Sequence, residues 1–135
     1  MATLPIFEVA GSALHAQSTR LNTIASNLAN VENVAGTPEA VYTPIQPVFS
    51  AYPVAADAGL QGVRVTEIRS SEAEPIRRYD PGHPDADGDG YIYVPDLDPI
   101  AMTIDMISAS RSYQNSVEIL NTAKELALAT LDMNR

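Results

Sequence analysis

The chain contains no cysteine. That excludes disulfides, thiolate metal sites and a cysteine nucleophile, and it leaves the redox compartment open. Positive charge is scarce: eight lysines and arginines stand against seventeen aspartates and glutamates, for a formal charge of −9. Such a surface repels phosphate backbones and anionic lipid, so nucleic acid is not an expected partner. No apolar run approaches the roughly 20 residues needed to span a bilayer. Nor is a cleavable Sec-type signal expected, because no basic residue precedes Arg20 and Glu8 interrupts the first apolar run. The catalytic patterns HExxH, GxSxG and a glycine-rich phosphate loop are missing as well, and His15 and His83 have no evident catalytic partner. No enzyme activity and no cofactor are expected.

What is present is two long helical patterns around a stretch rich in proline and glycine. The 135 residues, 45% hydrophobic, suffice for one modest domain. Over residues 5–33, Phe7, Ala10, Leu14, Leu21, Ile24, Leu28 and Val31 repeat at helical spacing, with Gln17 the one polar member of the seam. Pro5 suits a first turn, and Asn33 with Gly36 supplies an ending. Over residues 100–133 a second seam runs through Met106, Ala109, Tyr113, Val117, Leu120, Ala123, Ala127 and Leu131, after Asp98 as N-cap and Pro99 at the first helical position. Residues 35–99 hold nearly all the prolines and glycines, with short alternating runs such as GVRVTEI, in which Val63 and Val65 share a face.

The expected fold is therefore mainly α with a small β-rich insert. Residues 1–35 and 100–135 form a terminal-helix domain paired as an antiparallel coiled coil, and residues 36–99 form the β-rich module between them. Two narrow stripes with no third helix make a thin core, which favours partners, although a hairpin packed on its own β module is the plainer alternative. The first helix also carries Asn22, Asn27, Asn30 and Asn33 with Ser18, Thr19, Thr23 and Ser26, residues that weaken isolated helices by bonding locally. Either these form a solvated face, or their amides bond to neighbouring copies and the helix forms mainly on assembly.

The run HPDADGDGYIYVPD resembles a calcium loop, with Asp85, Asp87 and Asp89 at the first ligand positions and Gly90 at the sharp turn. Asp96 then stands where a bidentate glutamate belongs. Pro75, Pro81 and Pro84 before the loop, and Pro95 and Pro99 after it, oppose the flanking helices of an EF-hand. A turn at DGDG followed by a strand over Tyr91, Ile92, Tyr93 and Val94 explains the same residues without metal. Asp85, Asp87, Asp89 and Asp96 remain weak candidates for calcium.

Three segments together resemble the bacterial flagellar axial family. GSALHAQSTRLNTIASNLANVEN is similar to its N-terminal signature, the L-N-x-x-A-x-N-L-A-N core being spelled by Leu21, Asn22, Ala25, Asn27, Leu28, Ala29 and Asn30. HPDADGDGYIYVP resembles the central motif of the proximal-rod type. MISASRSYQNSVEILNTAKELALATL resembles the matching C-terminal segment, including Ser110, Arg111, Ser112, Tyr113 and Gln114. The likeness covers essentially the whole chain apart from residues 38–80. VENVAGTPEAVYTP lacks the T-x-G-Y ending of distal-rod and hook relatives; in the central loop, Gly88 and Asp89 make it more acidic than the resemblance leads one to expect, and Asp96 and Asp98 stand where such relatives commonly carry asparagine.

The resemblance implies a structural subunit of the proximal rod, exported by the flagellar type III apparatus without signal cleavage and assembled in the periplasm. The partners it implies are other proximal and distal rod proteins, the rod-to-membrane-ring adaptor and the MS ring, in a homo- and hetero-oligomeric helical assembly. The terminal helices would form the coiled-coil inner layer and the central module would project outward. Leu14, Leu21, Ile24 and Leu28 would then pack on Met106, Tyr113, Leu120 and Ala127 within and between subunits, with Asn27, Asn30, Arg111 and Gln114 also at the assembly interface. A distal-rod or hook-type protein and a calcium-binding module are the alternatives.

Overall fold

Helix α1 (Thr3–Ala29) contains only one glycine, Gly11, and its one proline lies in the first turns, where the missing N–H was unpaired in any case. The structure, a computed structural model, describes residues 3–54 and 59–134. The helix stops at Ala29, earlier than the expected Asn33, and side-chain chemistry explains why. Asn30 turns its amide back onto the Ser26 carbonyl at 2.8 Å, while Asn30 and Val31 donate backbone N–H to Asn27 and Leu28 in three-residue bonds that tighten the last turn. Asn33 instead accepts from Tyr42 N–H at 3.0 Å, in the loop beyond.

Helix α2 (Pro99–Met133) begins as the sequence indicates. The Asp98 carboxylate accepts from Ile100 N–H at 2.9 Å and Pro99 takes the first helical position.

The β-rich insert is two separate antiparallel hairpins: β1 (Ile45–Pro53) with β2 (Gln61–Ser70), and β3 (Ile76–Tyr79) with β4 (Tyr91–Val94). The segment joining β2 to β3 carries Glu72, Glu74 and Pro75, and ends the first ladder before the second begins. In the first hairpin Ile45 pairs with Ser70 and Pro53 with Gln61, with a register shift between Val48 and Phe49. Val63 and Val65 are half-buried between exposed Arg64 and Thr66, the expected alternation. Gly62 lies opposite Tyr52, whose ring would stand 2.7 Å from any Cβ there, so the ring covers the bare backbone.

Helix α1 is the shared wall, packing on α2 and on the β1–β2 hairpin. Its buried surface is consequently broader than one seam. Ala10 and Ile24 belong to the expected stripe, whereas Ala16, Thr23 and Asn27, also buried, lie on the side that carries the polar links to the hairpin. The second hairpin is tied to the loop after α1 by a bridge between Ala35 and Tyr93, with N–O distances of 3.0 and 2.9 Å. Around it Ala35, Val41 and Ile92 are buried, and Ile92 is the largest fully enclosed side chain.

Candidate assembly surface

The α1–α2 seam is built from small residues. On α2 the buried positions are Ala109, Ser116 and Ala123, seven apart, so they recur on one stripe. Small side chains let two helix backbones approach to the short end of the usual range of about 8–10 Å. Ser116 is tolerated there because its hydroxyl donates to the Ser112 carbonyl at 3.0 Å. Of the residues expected on the seam, Ile24 is buried, while Leu14, Leu21, Leu28, Met106, Leu120 and Ala127 are half-buried. Tyr113 and Val117 sit at the seam's exposed margin, and Leu131 is 66% exposed and lies off the seam. Ser116 replaces Val117 in the stripe because the 3.6-residue period carries the face there. The side-chain Oε1 of Gln17 is buried and has no hydrogen-bond partner among the described residues, an unpaired acceptor on the helix that the seam shares.

At one end of the pair α2 enters beside the C-terminal half of α1. Arg20 of α1 and Asp105 of α2 form an ion pair there, both side chains partly exposed. They stand in an open cleft of about 340 Å³ that also takes in Ile24, Asn27, Ile45, Phe49, Leu97 and Met102. From this end α2 runs back along α1, antiparallel to it.

Asn27 joins helix to hairpin. Its Nδ2 donates to the Ile45 carbonyl at 2.7 Å, and its Oδ1 accepts both Ile45 N–H and the Tyr42 hydroxyl at 2.9 Å. The side-chain amide thus imitates a neighbouring strand at the first residue of β1. Ser12 makes a second link, accepting Val63 N–H at 3.1 Å while donating to the Val9 carbonyl. Asn27 and Asn30 therefore spend these bonds inside the chain.

The outer face of α2 is apolar where it begins and where it ends. Ile100, Ile104 and Ile107, spaced by four and three, form a stripe 71, 63 and 53% exposed. Arg111 and Gln114 continue that face, both exposed. At the far end Leu126, Leu128, Leu131 and Met133 are all more than half exposed. Apart from Leu131, which the sequence places on the helix seam, neither patch is among the interface residues the sequence indicates, although the isoleucine spacing is a readable helical signal.

The acidic loop folds as a turn. Asp87 Oδ1 accepts N–H from Asp89 and Tyr91, each at 2.9 Å, and Gly90 takes φ +81° before β4 starts. Asp85, Asp89 and Asp96 are exposed, and among the described residues no three acidic or histidine side chains gather closely enough to hold a metal ion. His15 is exposed on α1, and His83 Nδ1 accepts Asp85 N–H at 3.1 Å. Among the described residues no helix is long and apolar enough to cross a membrane.

Known proteins share these segments. Residues 7–36 match the family described as flagella basal body rod protein, and residues 89–133 match the flagellar basal body rod FlgEFG protein C-terminal family. Over 135 residues, all of both chains, the sequence is 45% identical to the flagellar basal-body rod protein FlgC of Escherichia coli O6:H1 (strain CFT073) and 44% identical to that of Salmonella typhimurium LT2. It is 36% identical to the FlgC of Aquifex aeolicus VF5, over 93% of this chain and 92% of that one.

Proposed function

The chain belongs to the FlgC family of flagellar basal-body rod proteins, and on that premise we propose that it is a structural subunit of the proximal rod, self-assembling through its terminal helices into a tubular drive shaft that transmits torque and encloses the export channel. It acts by fitting its neighbours, not by catalysis. Its partners are other flagellar components: proximal and distal rod proteins, the rod-to-membrane-ring adaptor and the MS ring. The type III export apparatus delivers it to the periplasm without signal cleavage. Likeness to FlgC relatives along the entire chain favours this assignment over a distal-rod or hook-type protein.

One observation carries the assembly reading. The 14.4 kDa chain exposes 9067 Å², whereas a compact monomer of that mass exposes about 6,800 Å². The surplus equals what a subunit buries against two or three partners at about 800 Å² each. Much of it is apolar and lies on α2, where the chain itself supplies no cover. In the rod, the seam winds as an antiparallel coiled coil, with Leu14, Leu21, Ile24 and Leu28 meeting Met106, Tyr113, Leu120 and Ala127 within and between copies. Arg111 and Gln114, both exposed, line the same assembly interface, and Arg111 pairs with a neighbour's carboxylate, whereas Asn27 and Asn30 brace it from within the chain.

Ile104→Asp tests this directly. The site is exposed, so the isolated chain should unfold within about 0.5 kcal/mol of the parent. Incorporation into basal bodies and swimming should both be lost. Normal swimming with aspartate at position 104 would refute the role given to this face.

A further inference from the structure

The β3–β4 hairpin has an outward face that the helix-based assembly does not use. Opposed residues in an antiparallel pair share a face, so the pairing of Arg77 with Tyr93 and of Tyr79 with Tyr91 places three of the chain's six tyrosines and an arginine together. Tyr79 is 64% exposed and meets Tyr91 edge-on at 5.1 Å. Arg77 lies over the Tyr91 ring, 3.6 Å from its centroid. Stacking holds the guanidinium flat and leaves its N–H edge free to receive a carboxylate. Arg78, paired with Ile92 and so on the other face of the strand, is also exposed along the open edge, and among the described residues neither arginine forms an ion pair. Tyrosine and arginine grouped in this way are the residue types that dominate protein–protein contacts.

The same hairpin carries the complementary charge. Its loop presents Asp85 and Asp89, both exposed. The Asp85 carboxylate is 3.8 Å from His83 Nδ1, but that nitrogen is already the acceptor for Asp85 N–H, so no proton on it holds the carboxylate. We propose that the hairpin is a contact between copies of this chain, in which Arg77, Arg78 and Tyr79 of one copy receive Asp85 and Asp89 of the next.

Charge also selects the geometry. Among the described residues strand β3 pairs only with β4, so its outer edge is open to another strand. Antiparallel pairing of two β3 edges would set arginine opposite arginine, which is unfavourable. Strand-to-loop docking avoids that conflict. It is also heterologous, so each copy keeps a free strand and a free loop and the contact propagates. The contact uses the hairpin alone and requires none of the helix residues.

The absence of cysteine makes the test clean. Full-length chains bearing Ile76→Cys on the strand and Gly88→Cys in the loop are mixed and oxidised at low salt. A side chain at position 88 meets nothing within 4 Å, so the loop is undisturbed. The mixed pair should yield cross-linked dimer several-fold above either variant alone, fading as salt is raised. Arg77→Glu with Arg78→Glu in the strand chain should abolish the adduct, and Asp85→Arg with Asp89→Arg in the loop chain should restore it. No excess of the mixed adduct, strand-to-strand adducts in the majority, or failure of the charge exchange would each overturn the contact. Cysteine chains that also carry Ile104→Asp should cross-link as well as those without it, so loss of the adduct and loss of swimming report on different surfaces.

Discussion

At the scale of single residues, Asn27 shows how a helix-weakening side chain is made useful. An amide inside a helix competes with the backbone and lowers propensity by a few tenths of a kcal/mol. Here it satisfies both polar groups of Ile45 and the Tyr42 hydroxyl in a position only 6% exposed. Leaving a buried backbone group unpaired costs about 1–3 kcal/mol, so the bonds outweigh the propensity loss. Asn27→Asp keeps the acceptor but sets an oxygen against the Ile45 carbonyl, and we expect it to lower the urea unfolding free energy of the isolated chain by about 2 kcal/mol or more. A change below about 0.5 kcal/mol, the scatter of ordinary surface substitutions, would remove Asn27 from this role. The cluster of asparagines was legible in the sequence, whereas their partners were not. Ile45 lies eighteen residues on, and only the path of the intervening loop brings it back to the helix.

At the scale of elements, signals confined to neighbouring residues could be read and those depending on tertiary contact could not. Asp98 before Pro99 marked the start of α2 because both the capping bond and the fixed φ are local. Likewise the turn before β4 followed from DGDG, and the structure gives its last glycine a positive φ. The second buried side of α1 escaped, since Ala16 and Thr23 acquire their burial only when the β1–β2 hairpin docks beside α2. The division of the insert into two sheets escaped for the same reason. The glycine pair in the acidic loop makes a sharp element-level test. A Cβ at Gly90 would adopt φ +81° and lie 3.0 Å from Pro81 Cβ and 3.1 Å from the Tyr79 ring. Left-handed backbone costs a side chain about 1–2 kcal/mol, so Gly90→Ala should destabilise the chain by at least that much. Gly88→Ala has open space around it and an ordinary φ, and should be neutral or slightly stabilising through the unfolded chain. Equal effects in denaturant melts of the two variants would mean that Gly90 does not set the turn.

At the scale of the whole molecule, the two helices are unequal. Helix α1 has 27 residues and α2 has 35, and at 1.5 Å per residue the difference of eight is about 12 Å of helix. Because α2 starts beside the C-terminal half of α1, the excess lies at its own C-terminal end, where Leu126, Leu128, Leu131 and Met133 are exposed. A lone stretch of that length cannot sustain itself in water, since helices shorter than about 12–15 residues are marginal without packing. The two-seam pattern already pointed to a thin core, yet the sequence could not show which part of α2 stays uncovered, because that depends on where α1 ends against it. Hydrogen exchange on the isolated full chain should therefore divide α2. Amides from Ala109 to Ser116 should be protected by the seam, while those from Leu126 to Met133 should exchange nearly as fast as open chain. On the proposed assembly, incorporation into the rod should slow the second group far more than the first, because neighbours would supply the cover that the chain lacks. Uniform protection along α2 in the isolated chain, unchanged on dilution, would show that the tail is stable alone and would remove it from the surface that drives assembly.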